Sequence, residues 1–326
     1  MKERNPFTVT AVSTIIIAIA IAFFMLLRGN GQRNYRISVI VSNSTESRWN
    51  TLRAGLEQAA EDSDIRLNYV YTSYLDTLED QVRIMEAEIN DGSDGIITEF
   101  CDSQDTQEII QRLSVKAPIV MINTTAEADP DVEGNHASVT PDNYEIGRAI
   151  GNELIIAYGD ELGLKSMGII SGNPRQTAMQ ERLRGFMDVV SDRNPVITWQ
   201  IPYGRDTEGQ IREADQEHPA DILIGLDNGS LEAAVDYVSD QGLQDKTVLF
   251  GAGCSEKLVY YIDSGLIRSM ILPDDFRVGY QSLTDLAGKL DNRMSVLTDR
   301  QVGYNVVHKE NLFREENQNI LFPIVQ

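Results

Sequence analysis

Short apolar runs alternate with amphipathic segments along the first half of the chain. The apolar runs are rich in β-branched residues, which is typical of buried strands, and the segments between them carry apolar side chains at helical spacing. The predicted strands lie at residues 35–42, 66–71, 95–99 and 118–123, and the predicted helices at residues 49–63, 77–90 and 106–113. Strands that alternate with helices of this length indicate right-handed βαβ units and a parallel sheet.

The alternation starts again after Asp142. Predicted helices lie at residues 144–158, 177–191, 209–217, 229–241, 254–265 and 275–290, and predicted strands at 166–171, 196–200, 221–225, 247–251 and 267–272. The predicted fold class is therefore α/β, with two doubly wound parallel-sheet halves. Ligands of such sheets bind beyond the carboxyl ends of the strands, so the residues that follow each strand are the first candidates for a site.

One apolar run, residues 8–27, is different in kind because it contains no charged residue and has no polar face. About 20 apolar residues in a helix span the hydrocarbon core of a bilayer, whereas the apolar region of a signal peptide is shorter and ends at a small-residue cleavage site. No such site follows the run. We therefore expect an uncleaved transmembrane anchor at 8–27, between a short tail at 1–7 and a linker at 28–35.

The orientation of the anchor follows only partly from its flanks. Lys2 and Arg4 precede it and Arg28, Arg33 and Arg36 follow it, so the positive-inside rule does not decide. A very short N-terminal tail favours an inside position for the tail. The expected localisation is the cell membrane, single-pass, with the C-terminal body extracytoplasmic.

Composition narrows the functions that the body can have. The chain of 326 residues has a formal net charge of -22, which argues against nucleic-acid binding because that requires a basic surface. Two cysteines and three widely separated histidines provide neither a disulfide scaffold nor a zinc motif. No nucleophile elbow or phosphate-binding loop is present in the sequence, so we expect no metal, no cofactor and no enzymatic activity.

Several segments, taken in order, resemble the type I periplasmic substrate-binding proteins, specifically the ribose/galactose-type sugar-binding group. The similar segments are Ile37-Ser-Val-Ile-Val-Ser, Asp94-Gly-Ile-Ile-Thr, Ala117-Pro-Ile-Val-Met-Ile-Asn, His136-Ala-Ser-Val-Thr-Pro-Asp-Asn, Met167-Gly-Ile-Ile-Ser-Gly, Glu181-Arg-Leu-Arg-Gly-Phe, Leu226-Asp-Asn and Leu249-Phe-Gly-Ala-Gly. The resemblance implies two lobes that are joined by three crossovers and close around a ligand. It implies an N-terminal lobe of residues 36–141 plus 274–302 and a C-terminal lobe of residues 142–273 plus 303–326.

The chain departs from this family at positions that contact the sugar. Asn123 and Thr124 replace an Asp-Arg pair, Gln180 replaces an arginine, Gly253 replaces an aspartate, and Arg48 with Trp49 replaces a pair of aromatic residues. At the last crossover, Pro273 stands where the family has a polar residue. The resemblance therefore predicts the fold more specifically than it predicts the ligand.

Candidate ligand contacts follow from strand ends and loops, except that Gln180 follows from the resemblance. They are Ser42, Glu46, Arg48, Trp49, Glu99, Asn123, Gln180, Tyr203, Arg205, Asp227 and Asn228. Carboxylates, amides and guanidinium groups bind hydroxyls through charge-assisted hydrogen bonds, and an aromatic plane contacts the C–H face of a sugar. An acidic residue at a buried strand end, as Glu99 is, needs a partner or a cleft.

Alternatives remain for several of these residues. Trp49 either stacks on the ligand or packs at the start of its helix, and Glu46 is either a contact or a solvated loop residue. Asn228 either lines the cleft or caps the helix that follows it. Tyr203 and Arg205 either approach the ligand or belong to a surface loop. The excess of acidic candidates suits an uncharged polyol or a ligand with an amino group and disfavours an anion.

The two cysteines follow strands of different halves, so Cys101 and Cys254 are expected near the cleft in opposite lobes. A disulfide between them would lock the lobes, so free thiols are expected. The predicted function is a membrane-tethered solute-binding protein that presents a small, sugar-like polar ligand to an importer permease or a sensor kinase. A ligand-sensing receptor without transport is the first alternative, and a glycan-active enzyme the second. A DNA-binding repressor of the same fold is disfavoured by the apolar run where its basic domain would lie.

Overall fold

The computed structural model describes residues 17–19, 35–125 and 134–322. The chain divides into two units, Met1–Tyr35 and Arg36–Gln326, and the second unit carries the fold. In the first unit only the helical residues 17–19 and Tyr35 are described. The rest of the predicted anchor at 8–27 lies outside the described residues, and no helix within them is long and apolar enough to cross a membrane.

The second unit contains two six-stranded sheets. The first has the order β11-β5-β4-β3-β1-β2, and all of its pairs are parallel. Its strands are β1 (Arg36–Ile40), β2 (Arg66–Tyr69), β3 (Gly95–Thr98), β4 (Ile119–Ile122), β5 (His136–Pro141) and β11 (Arg300–Val302). The register pairs Ile37 with Gly95 and Ile97 with Val120, which places the fully buried strands β3 and β4 in the middle of the sheet.

The second sheet has the order β12-β10-β9-β8-β6-β7. Its strands are β6 (Ser166–Ile170), β7 (Val196–Ile201), β8 (Ile222–Gly225), β9 (Val248–Ala252), β10 (Ile267–Pro273) and β12 (Tyr304–Val307). All pairs are parallel except β10 with β12, which is antiparallel. A strand such as β8, whose four residues are all apolar or glycine and all buried, is typical of a parallel sheet covered on both faces.

Helices cover these sheets. They are α1 (Asn50–Ser63), α2 (Leu78–Asn90), α3 (Gln107–Ser114), α4 (Asn143–Tyr158), α5 (Thr177–Val190), α6 (Thr207–Glu217), α7 (Asn228–Asp240), α8 (Glu256–Ser264), α9 (Asp275–Asp291) and α10 (Glu315–Leu321). Several begin at a side-chain cap: Thr77, Asp142, Asp227, Ser255 and Asp274 each accept a hydrogen bond from a backbone N–H in the first turn.

The chain passes between the two sheets three times. β5 belongs to the first sheet while α4, which follows it, packs against α5 and β10 of the second. β10 belongs to the second sheet while α9 packs against α1 and β4 of the first. The third passage lies between β11 and β12, at Gly303. The two lobes are therefore each built from discontinuous stretches of chain.

Two helix pairs pack at very short range through glycine. A Cβ atom added to Gly147 of α4 would overlap the carbonyl oxygen of Arg182 in α5, and one added to Gly185 of α5 would overlap the carbonyl oxygen of Tyr144. The pair α1 and α9 uses Gly55 and Gly279 in the same way. Each pair packs on one lobe directly after a crossover, so the glycines let the returning helix lie close to its neighbour.

The predicted α/β architecture with two parallel-sheet halves is confirmed, and the predicted strands and helices are all present with boundaries shifted by a few residues. Four elements were not predicted: β5, β11, β12 and α10. β5 contains His136 and Pro141, and β11 has only three residues, two of them exposed. Such segments have no apolar period of their own and become strands only because a neighbouring strand pairs with them.

Candidate ligand-binding cleft

The carboxyl ends of the strands of both sheets face a cleft between the lobes. Two adjoining cavities lie there, and Arg48, Glu99, Gln176 and Asp227 line both of them. We call the cavity that is also lined by Asp275 of α9 the inner cavity, and the other one the outer cavity. Each cavity has a volume of about 60 Å³. A water molecule needs roughly 10–15 Å³ on this scale, so each holds only a few waters and a pyranose ring requires the side chains or the lobes to move.

The outer cavity takes its remaining lining from loops of both lobes. Ser42, Asn43, Glu46 and Tyr74 come from the N-terminal lobe, and Tyr203 comes from the C-terminal lobe. Burial raises the pKa of Tyr203 to about 12, and the neighbouring carboxylates of Glu46 and Asp227 act in the same direction. Both tyrosines therefore present neutral hydroxyl groups that can donate to or accept from a ligand.

A continuous chain of hydrogen bonds forms the wall of the N-terminal lobe. Asn43 donates to Glu46, Arg48 donates to Glu46 through Nε at 2.8 Å and to Glu99 through Nη2 at 3.3 Å, and Asn123 donates to Glu99 at 3.2 Å. Burial lowers the pKa of the Arg48 guanidinium, but the carboxylates of Glu99 and Glu46 outweigh burial and raise it. The hydrogen-bonded series ends at Asn123 Oδ1, which is buried and has no hydrogen-bond partner among the described residues.

Trp49 does not offer an open aromatic face. The residue is 2% exposed, its indole N–H donates to the carbonyl of Ser42 at 3.3 Å, and the Arg48 guanidinium lies 3.8 Å from the ring centroid. Of the two interpretations of Trp49, the structure favours packing at the start of α1, with a cation–π contact on the ring face. The indole lines the inner cavity, but the Arg48 guanidinium covers one face of its ring.

The wall of the C-terminal lobe is built around the start of α7. Asp227 caps this helix, because its Oδ1 accepts from the N–H of Ser230 at 2.7 Å. Asn228 is not the cap. Its Oδ1 accepts from the backbone N–H groups of Cys254 and Ser255, and its Nδ2 donates to Glu232, so its amide joins α7 to the loop before α8. Asp227 keeps a second carboxylate oxygen for the cleft.

Asp275 lies at the second crossover and lines the inner cavity. Burial raises its pKa from 3.8 to about 6, although the thiol of Cys254 donates to its Oδ2 at 3.0 Å and favours the charged form. The same burial, together with the negative field of Asp275, raises the pKa of the Cys254 thiol well above its ordinary value. This cysteine is therefore a neutral hydrogen-bond donor at physiological pH.

Arg182 also lines the inner cavity but is committed to the protein. It is 6% exposed, donates from Nε to Asn143 Oδ1 at 2.9 Å and from Nη1 to the carbonyl of Leu226 at 2.8 Å. Burial lowers the pKa of its guanidinium, and the carboxylates of Asp227 and Asp275 oppose that effect. Arg182 therefore holds α5 to the strand end before α7.

Most of the predicted contact residues come together in the cleft. Those that line one or both cavities are Ser42, Glu46, Arg48, Trp49, Glu99, Asn123, Tyr203, Asp227 and Asn228. The prediction for Gln180 needs correction, because this residue is exposed on α5 and its amide donates to the carbonyl of Pro174. Arg205 also lies outside both cavities: its side chain is 68% exposed and pairs with Asp76 of the other lobe.

Several lining residues were not predicted, among them Tyr74, Asn173, Gln176 and Asp275. Tyr74 and Asn173 lie in the loops after β2 and β6, so the rule that ligands bind beyond strand ends could have found them. Asp275 follows the crossover after β10 and carries the same signal. No such signal pointed to Gln176, because this residue directly precedes α5 and does not directly follow a strand.

The lobes touch each other directly through the loop between β6 and α5. Asn173 donates to the carbonyl of Cys101 at 2.7 Å, and Gln176 donates to the carbonyl of Phe100 at 2.8 Å. The backbone N–H of Ser103 also donates to the carbonyl of Arg175 at 3.1 Å. The structure is therefore a closed form of the two lobes.

Cys101 and Cys254 are both free and buried, as expected, and each lines one of the cavities. Within the part of the chain that the structure describes, no group of three or more His, Cys, Asp and Glu side chains is arranged to hold a metal ion.

A family model for the periplasmic binding protein domain matches residues 37–293, which is most of the chain and all of the cleft described above. The chain belongs to this family. Most of both lobes and all of the polar cleft at the strand ends lie within the matched residues. No curated protein matches the chain.

Solved structures of the same architecture are similar to this one. A carbohydrate transporter solute binding protein from Agrobacterium radiobacter, in complex with D-arabinose, has a TM-score of 0.79 at 18% identity and covers 89% of this chain and 100% of its own. The myo-inositol binding protein of Caulobacter, bound to myo-inositol, has a TM-score of 0.75 at 15% identity, over 88% and 98% of the two chains. A glucose-galactose binding protein from Geobacillus stearothermophilus has a TM-score of 0.72 at 20% identity, over 86% and 100%. At these identities the likeness shows a shared fold.

Proposed function

We propose that this protein is a membrane-tethered, extracytoplasmic solute-binding protein that captures a small, sugar-like polar ligand for an ABC-type importer, and that it is not an enzyme. The observation that carries the proposal is the cleft. Carboxylate, amide and guanidinium groups from both lobes converge there at the strand ends. The sugars and the cyclitol bound by the similar structures support this ligand class.

Ligand capture works by a shift of population between open and closed forms. Glu99, Asn123 and Arg48 belong to one lobe and Asp227 and Tyr203 to the other, so a ligand contacts all of them only when the lobes are closed. A ligand that binds the closed form more tightly shifts the equilibrium toward it. The importer then recognises the closed surface.

The tether rests on residues 8–27, which are long enough and apolar enough to span a bilayer. A tethered cleft stays at high effective concentration near a membrane partner. To test the tether, the full chain and a variant without residues 8–27 are expressed and their membranes are washed with alkaline carbonate. Only the full chain should resist extraction. Protease added to intact spheroplasts, from which the outer membrane has been removed, should degrade the extracytoplasmic body of the full chain.

Ligand binding is tested by thermal unfolding of the full-length chain, purified in a mild detergent, against a panel of pentoses, hexoses and cyclitols. A ligand at 100 times its dissociation constant should stabilise the folded form by about 2.7 kcal/mol. Glu99→Gln should abolish this stabilisation, because it removes the charge that orders Arg48 and Asn123. Glu86→Gln, a surface variant whose carboxylate pairs with Arg112, is the control and should retain it.

If no sugar or cyclitol stabilises the protein, or if Glu99→Gln binds as the natural chain does, the cleft is not a sugar site. A receptor that passes the signal to a sensor kinase remains the alternative to transport. Deletion of the gene distinguishes the two. Loss of uptake of the ligand indicates transport, whereas unchanged uptake with a lost transcriptional response indicates sensing.

A further inference from the structure

We infer that the ligand of this cleft is a polyhydroxylated compound that also carries a cationic amino group, such as an amino sugar or an aminocyclitol. This inference rests on the proposed function and names the ligand class of the same site. Three features of the cleft carry it: the balance of charge, the pairing of each charge, and one buried acceptor that has no hydrogen-bond partner among the described residues.

The charge balance of the cleft is acidic. Four carboxylates line the two cavities, those of Glu46, Glu99, Asp227 and Asp275, while the cationic side chains of the lining are only Arg48 and Arg182. When the lobes close, these groups lose water, and a buried charge without a compensating charge is costly. If the lobes close over a neutral ligand, the excess negative charge stays uncompensated. If they close over a cation, the charge of the ligand compensates part of it.

Within the described residues neither arginine forms an ion pair with Asp227 or Asp275, although Arg182 lies near enough for its charge to interact with both carboxylates. Arg48 pairs with Glu46 and Glu99 within 3.3 Å, and Arg182 donates to Asn143 and to a backbone carbonyl. Among the described residues, neither Asp227 nor Asp275 has an ion pair within 4.0 Å. The carboxylates without an ion pair are therefore both in the inner cavity.

The third feature is the carbonyl oxygen of the Asn123 side chain. This oxygen is buried and accepts no hydrogen bond, while the amide nitrogen of the same side chain is held by Glu99. The orientation of the amide is fixed by that bond, because a carboxylate requires a donor. Asn123 lines the inner cavity together with Asp227 and Asp275.

The lining of the inner cavity therefore includes two carboxylates without an ion pair among the described residues, those of Asp227 and Asp275, and Asn123, whose Oδ1 accepts no hydrogen bond from them. An alkylammonium group has three N–H donors and one positive charge. A hydroxyl group has one donor and no charge. A neutral polyol therefore needs several hydroxyl groups to donate to these acceptors, and it leaves the negative charge of the two aspartates uncompensated. The hydroxyls of the ligand then fall to Arg48, Tyr74 and Tyr203 of the outer cavity.

The test compares matched ligands on the full-length chain in detergent. D-glucosamine, D-galactosamine and D-mannosamine are each compared with the parent hexose and with the N-acetylated sugar, and an inosamine is compared with myo-inositol. Binding is measured by titration calorimetry at a pH at which the amines are protonated. The amine should bind at least tenfold more tightly than its neutral partner, because a hydrogen bond to a charged group stabilises more than a neutral one.

Two variants locate the amine. Asp227→Asn retains the helix cap, since asparagine caps as well as aspartate, and Asp275→Asn retains the size of the side chain. Each should weaken binding of the amine on the order of tenfold more than it weakens binding of the neutral partner, so that the preference collapses. Asp142→Asn, which changes another capping aspartate outside both cavities, is the control and should keep the preference.

The inference is overturned if the parent sugar or the N-acetylated sugar binds as tightly as the amine in every set that binds. That result would leave the proposed sugar-binding function intact. If no member of any set binds, the proposed function fails, and this inference fails with it.

Discussion

Asp275 should make the ligand-free protein less stable at neutral pH than it would be without this charge. Its carboxyl is partly buried beside Cys254, and burial raises its pKa from 3.8 to about 6. The folded state therefore binds a proton more tightly than the unfolded state does. Stability is lost as the pH rises from about 4 to about 6, because over this interval the unfolded chain ionises first. Above about pH 6 the ionised Asp275 lowers the free energy of unfolding by the full amount.

The size of the effect follows from the shift. One pKa unit corresponds to about 1.4 kcal/mol, so a shift of about two units sets an upper limit near 3 kcal/mol. Because Asp275 keeps some contact with solvent, we expect about 2 kcal/mol. Asp275→Asn removes this cost while its side-chain oxygen still accepts the thiol hydrogen bond. For a body of about 290 residues, the melting temperature at pH 8 should rise by roughly 3 °C.

The assay is thermal and urea unfolding of the full-length protein and of Asp275→Asn at several pH values between 4 and 8. The difference between the two proteins should be near zero at pH 4 and should grow through pH 6. Asp274→Asn is the adjacent control, since Asp274 caps α9 and its carboxylate pairs with the exposed Arg277. An Asp275→Asn variant that is equally stable or less stable at pH 8, or a difference that does not change with pH, would refute the reasoning.

Further outcomes follow from packing and exposure. Gly147→Ala should destabilise the protein by about 2 kcal/mol or more, because the added Cβ would overlap the backbone of α5. Gly288→Ala should stabilise the protein by about 0.5–1 kcal/mol, because its added Cβ would meet no described atom within 4 Å. Urea unfolding measures both changes, and equal effects of the two substitutions would contradict the packing argument. Cys101 and Cys254 should resist a thiol reagent in the folded protein and both react once it is unfolded, and a count of one or zero thiols after unfolding without reductant would be evidence against free cysteines. Arg205→Gln should change the free energy of unfolding by less than about 1 kcal/mol, since its pair with Asp76 is solvent-exposed; a larger loss in a double-mutant cycle would show that this pair holds the lobes together.

The site was predictable in part, and the reason is local. Glu99 and Asp227 follow strands that the apolar pattern marks clearly, and strand ends of a doubly wound sheet meet at one edge, so both residues were expected in the cleft. Gln180 was wrongly expected there, because its place on α5 turns it toward solvent. Which face of a helix meets the cleft depends on how the helix packs, and no local pattern records that.

The sequence by itself determined the order of strands and helices, the α/β class and the acidic character of the candidate residues, because period and charge are properties of short stretches of chain. Only the tertiary structure decided that β5, β11 and β12 are strands, since each depends on a partner far away in the chain. It also decided that Arg48 covers Trp49 and that Asp275 accepts a hydrogen bond from the thiol of Cys254. Burial and pairing arise when distant segments meet, and they set the electrostatics on which binding depends.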